Sequence, residues 1–68
     1  MTTRYCIEVR GRLPAGAADE FPGMTVEVLE QRTELCGPLP DAAALYGSIA
    51  RLEALGLTLM TITAEEER

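Results

Sequence analysis

The chain has no histidine and no tryptophan, and it also lacks lysine and asparagine. Without histidine, the commonest zinc sites and imidazole acid–base catalysis are excluded within a single chain. The only aromatics are Tyr5, Phe21 and Tyr46, too few for a base-stacking platform. Two cysteines cannot supply the dense bridging of small secreted scaffolds. They stand alone, with no C-x-x-C spacing to chelate a metal. The sequence has no G-x-S-x-G, no phosphate-binding loop and no dinucleotide fingerprint. It also has no long apolar run: the opening MTTRYCIEVRGRL alternates charge with hydrophobe, so neither a signal peptide nor a membrane span is expected. A cytoplasmic location is the expectation, and with it reduced thiols.

At 68 residues the chain is expected to be a single domain over 1–68. A chain so short buries only about 60% of its unfolded surface, so its own core is small. All six basic residues are arginine, against eleven acidic ones, giving a net charge of −5. An acidic chain lacks the footprint that phosphate backbones require, so no nucleic-acid partner is expected. Arg4, Arg10 and Arg12 do cluster early, but Glu8 lies among them, and the run reads as a solvated strand.

The alternation of Tyr5, Ile7 and Val9 against Cys6, Glu8 and Arg10 predicts a half-buried strand. Pro14 and Gly16 end it. Pro14–Phe21 is either a loop or a stunted helix, with Ala17, Ala18 and Phe21 at helical spacing, closed by Pro22-Gly23. Met24–Leu29 alternates again, and Thr33–Cys36 returns as a third strand, stopped by Gly37-Pro38. The main helix is predicted over Asp41–Leu55: an acidic start suits the helix dipole, and Leu45, Ile49, Leu52 and Leu55 share a sector of about 120°. Gly56 stops it. Leu57–Thr63 is the last strand, with Met60 and Ile62 pointing away from Leu57 and Leu59; Glu65–Arg68 reads as a frayed charged tail.

The order is that of an α+β, ferredoxin-like split βαββαβ pattern with a stunted first helix, or βββαβ if that segment is a loop. The sheet is expected to be four-stranded and antiparallel with the main helix on one face. The first strand is then central, between the third and fourth. Acylphosphatase-type catalysis on this fold needs an Arg and an Asn, and the asparagine is missing; metal carriers of this fold place C-x-x-C where this chain has Leu13-Pro14-Ala15-Gly16.

The passage R-x-R-L…F-P-G-M-T at Arg10–Thr25, and more so the run G-P-L-P-D-x-A-x-L-x-G-x-x-x-R-x-x-x-L-G-L from Gly37 to Leu57, resembles a group of short uncharacterised bacterial proteins with no established activity. The resemblance covers most of the length. Its positions are turn, cap and core positions, so it implies the fold and carries over no site.

Four constellations remain. Ala43, Gly47, Ala50 and Ala54 form a small-residue stripe opposite the apolar helix face, which either lets another backbone approach or is plain solvent-facing alanine. Gly47 fits the second reading poorly, since mid-helix glycine costs about 1 kcal/mol. The open sheet face, read by alternation as Cys6, Glu8, Glu27, Leu29, Cys36, Met60 and Ile62, has enough apolar groups to suggest self-association. Cys6 and Cys36 fall near one another on that face, open to a cross-strand disulfide but expected as free thiols; a four-thiolate metal site would need two chains. The turn Gly37-Pro38-Leu39-Pro40-Asp41 is a candidate ligand turn beside the helix N-terminus, with Gly37, Leu39 and Asp41 as its members.

The leading expectation is therefore a non-enzymatic, self-associating cytoplasmic interaction module with no cofactor and no metal, partnered by itself or another protein. A small-molecule sensor with ligand at a subunit interface is the alternative. An enzyme built across a dimer from Glu8, Arg10 or Tyr46 ranks below both.

Overall fold

The computed structural model describes residues 3–66. Four strands, β1 (Thr3–Arg10), β2 (Thr25–Val28), β3 (Arg32–Leu39) and β4 (Thr58–Glu66), form one sheet with a single helix, α1 (Ala42–Ala54). The sheet order is β2-β3-β1-β4, and all three pairings are antiparallel. This is an α+β domain with the first strand central. Where the full βαββαβ pattern has a first helix, this chain has a 3-10 turn, Ala17–Glu20, so the match to that pattern is incomplete. The segment left open between helix and loop is thus one short turn, entered through Gly16 with its φ of 87°.

The sheet's inner face is fixed by alternation. Ile7, Val9 and Leu35 are almost wholly buried, with Leu39, Leu45, Leu52 and Leu57 around them. The segment that replaces the first helix contributes Leu13, Ala17 and Phe21 to the same core. Thr33 is the one buried polar side chain among the described residues. Its hydroxyl donates to the Gly11 carbonyl at 2.9 Å and accepts from the Leu13 N–H at 3.0 Å. That pair of bonds ties the chain leaving β1 back onto β3.

The helix starts and stops where its local chemistry dictates. Asp41 is the N-cap, and its carboxylate accepts from the Ala44 N–H at 2.8 Å. At the other end the Gly56 N–H reaches the Glu53 carbonyl at 3.0 Å and the Leu57 N–H reaches Leu52 at 3.1 Å. This is a Schellman closure, with Gly56 at φ 89° supplying the left-handed residue.

Two strands differ from the sequence reading. β3 does not stop at Gly37-Pro38 but continues to Leu39. β2 ends at Thr25, opposite Cys36, so Pro38 lies where one side of β3 has no partner, a position proline tolerates. Gly37 is buried there, because the Gly23–Met24 backbone passes directly over it: a Cβ would stand 2.9 Å from the Met24 Cα. β4 is longer than expected, taking in Glu65 and Glu66; the remaining tail residues, 67 and 68, lie outside the described residues.

The second difference is a bulge. Glu8 pairs with Thr61 while Val9 pairs with Leu59, which leaves Met60 as the extra residue. The insertion reverses the alternation of β4. Ile62 comes to stand opposite Ile7 on the inner face, and Thr61 and Thr63, opposite Glu8 and Cys6, take the outer one.

Candidate functional site

The outer face of the sheet can be read row by row from the register. One row runs Glu27, Glu34, Glu8, Thr61; the next runs Thr25, Cys36, Cys6, Thr63. Beyond the acidic row Arg32 stands opposite Arg10. Arg32 lies 3.5 Å from Glu8 and 3.9 Å from Glu34, which offsets the repulsion of carboxylates set directly opposite each other. The face is therefore banded and polar. The mixed apolar surface expected there is corrected on two counts. Ile62 belongs to the inner face, and Leu29 lies past the end of β2, in the turn where its N–H meets the Arg32 carbonyl at 2.8 Å. Met60 and Ile62 do not share a face.

At the centre of this surface Cys6 and Cys36 are direct cross-strand partners, with Cα atoms 4.1 Å apart, and their sulfurs are bonded. The expectation of two free thiols is corrected: among the described residues no cysteine is free. The pairing of β1 and β3 brings directly opposite side chains within reach of a bridge without moving either backbone. Beside the disulfide is a depression of about 150 Å³ lined by Cys6, Ile7, Glu8, Glu34, Thr61 and Thr63. Among the described residues no three His, Cys, Asp or Glu side chains converge to hold a metal, so the acidic row is a solvated ladder and not a chelating cluster.

The helix side offers the other surface. Ala43, Gly47, Ala50 and Ala54 are exposed along α1, beside Tyr46. Apart from the backbone of its own helical turns, nothing lies within 4 Å of where a Cβ on Gly47 would sit. A groove of about 430 Å³ separates α1 from the segment replacing the first helix, lined on one side by Phe21, Pro22 and Met24 and on the other by Ala44, Gly47 and Ser48. The Arg51 guanidinium bridges it, donating to the Glu20 carbonyl at 3.3 Å.

The candidate ligand turn is not an open loop. Gly37 and Leu39 are buried in β3, and the Asp41 carboxylate is engaged in capping the helix. Glu8 and Arg10 lie on the outer sheet face, whereas Tyr46 is on the outer side of α1, so no single chain brings these three together. Sequence reasoning missed the buried hydroxyl of Thr33, and it read Gly37 as part of an open turn where the structure has a buried strand position. A threonine at an inward position of a predicted strand was the available signal for the first.

The structure thus defines a small α+β domain, a four-stranded antiparallel sheet stapled by one cross-strand disulfide and packed against one helix. The chain belongs to the family described as Domain of unknown function (DUF8691), whose model matches residues 4–63. No curated protein and no solved structure matches it. No helix among the described residues is long and apolar enough to cross a membrane.

Proposed function

We propose that this chain is a non-enzymatic module that associates with copies of itself in the cytoplasm, through the outer side of α1 and the adjoining inner edge of the sheet. Gly47 carries the reading. A glycine in mid-helix costs about 1 kcal/mol relative to alanine, and nothing inside this chain needs the missing side chain, because the space beside it is open. A close-approaching helix would use that space, with Ala43, Ala50 and Ala54 flanking it.

The coverage of the sheet supports the same side. One helix packs mainly on β3 and β4 of a four-stranded sheet, and both outer strands keep apolar groups uncovered on that face: Ile62 on β4 is 39% exposed and Val28 on β2 is 41% exposed. A second copy would extend a core that a chain of this size cannot complete alone.

The test is native mass spectrometry of the freshly purified protein beside the Gly47→Gln variant. Glutamine favours the helix over glycine by about 0.5 kcal/mol, so the variant monomer should be at least as stable as the parent. The expected result is a wild-type oligomer with no additional bound mass, and a Gly47→Gln monomer. A wild-type monomer at micromolar concentration rejects the reading, and a co-purified small molecule would favour a ligand-binding module instead.

A further inference from the structure

We infer that Cys6–Cys36 is a reversible dithiol/disulfide couple that opens in the folded protein by attack of a thiolate on Cys6, through the depression on the outer sheet face.

The direction of attack follows from the register. Thiol–disulfide exchange proceeds by approach of a thiolate to one sulfur with the other as leaving group. In-line displacement at Cys6 therefore comes from the side away from Cys36. Cys36 is on β3 and Cys6 on β1, so that side is the one occupied by β4. The depression opens over β1 and reaches that side, with Glu34 of β3 on its opposite rim. Thr61 and Thr63 of β4 line it, and Cys6 is among its lining residues while Cys36 is not. The bulge at Met60 is what turns Thr61 to this face, placing a short side chain beside Glu8.

The sulfurs also lie outside the core. Every fully buried side chain of the sheet is on the other face, and β1 and β3 pair over eight positions with Cys6 and Cys36 in the middle of the run. Reduction removes the bridge without removing a core contact. The sheet then holds the two thiols as direct neighbours, ready to be oxidised again.

The exchange balances as follows. A thiolate of a dithiol reductant bonds to Cys6 Sγ; the bond between the Cys6 and Cys36 sulfurs breaks, and its electron pair leaves with Cys36, which takes a proton. The second thiol of the reductant then displaces Cys6. The reductant is oxidised by two electrons to a disulfide, and the two cysteines are released as thiols. Glutathione disulfide, acting as a two-electron oxidant, reverses the sequence by the same kind of exchange and releases two equivalents of glutathione.

The rim sets the preferred partner. Glu8 and Glu34 border the depression and Arg32 neutralises only part of their charge, so an approaching thiolate on a cationic molecule is favoured over one on an anionic molecule. A roughly two- to fivefold rate difference is expected at low ionic strength, shrinking as salt screens the pair.

The experiment exposes the native protein to limiting thiol, quenches with an alkylating agent and maps both cysteines by mass spectrometry. Cysteamine supplies the cationic thiol and 3-mercaptopropionate the anionic one, with rates corrected for thiolate fraction. The expected outcome is a mixed disulfide on Cys6 with Cys36 alkylated, at a rate proportional to thiolate concentration. Cysteamine should be favoured, and the preference should be lost when Glu8→Gln and Glu34→Gln are combined. With excess dithiothreitol, both cysteines should alkylate while the circular dichroism of the sheet and helix persists. An adduct on Cys36, a rate independent of thiol concentration, or loss of folded signal on reduction would each overturn the inference and leave the bridge as a closed structural staple.

Discussion

Ile62 stands directly opposite Ile7 across β1 and β4, yet Ile7 is fully buried and Ile62 is 39% exposed. The two share a face of the sheet and differ only in what lies above them. Ile7 is on a central strand under the core; Ile62 is on an outer strand that α1 leaves partly bare. Truncation should therefore separate them. Ile7→Ala is expected to cost about 3–4 kcal/mol, the range for emptying a packed site, and Ile62→Ala about 1 kcal/mol. Urea denaturation at low protein concentration measures both. If a second copy covers Ile62, its cost rises with protein concentration while that of Ile7 does not, because binding adds stability by mass action.

Thr33 makes a different kind of core contact. Its hydroxyl is fully buried and holds two backbone groups of the Gly11–Leu13 turn. Valine has nearly the same shape and can fill the site, but it leaves a buried N–H and a carbonyl without a partner. Thr33→Val should cost about 2 kcal/mol. Thr33→Ser keeps the hydroxyl and loses only a methyl group, so it should cost less than the valine change. A valine variant as stable as the parent would show that the turn is not held by this side chain.

The N-cap of α1 gives a prediction confined to one helix end. Asp41→Ala removes the acceptor for the Ala44 N–H and should lower stability by about 1 kcal/mol, while Asp41→Ser should recover most of it. Thermal denaturation followed by circular dichroism checks the ranking.

The legibility of this fold in its sequence follows the range of the signals. The helix ends were readable to within a residue because Asp41 and Gly56 act on their immediate neighbours. The face of β1 was readable because Tyr5, Ile7 and Val9 alternate without interruption. The bulge was not readable, since no glycine or proline marks Met60, and one inserted residue reverses every position after it. That reversal is why Ile62 was assigned to the wrong face, and with it the apolar character of the outer sheet. Gly37-Pro38 misled for a related reason. Proline is a local stop signal, but its tolerance in β3 depends on where β2 ends, which only the tertiary structure decides. The cysteine pair is visible in the sequence as a juxtaposition, but its oxidation state is not: the compartment argument favours thiols, and the structure has the two sulfurs bonded.

Gly37 and Gly47 are the two glycines whose substitution by alanine should move stability in opposite directions. Gly37 faces inward on β3 beneath the Gly23–Met24 backbone, where a Cβ would approach the Gly23 carbonyl oxygen to 2.5 Å and the Met24 Cα to 2.9 Å. Neither is the end of a flexible side chain, so the passing backbone segment before β2 must itself shift, and Gly37→Ala should cost about 3 kcal/mol. At Gly47 the same methyl group meets nothing within 4 Å beyond the backbone of its own helical turns and relieves the helix of its least favourable interior residue, so Gly47→Ala should stabilise the monomer by about 1 kcal/mol. Denaturation of both variants at a concentration where the protein is monomeric reads these signs directly. Repeating the Gly47→Ala measurement at high concentration then separates the two uses of that glycine: a gain that persists marks a solvated helix, and a gain that disappears as the oligomer is lost marks a contact that required the open space.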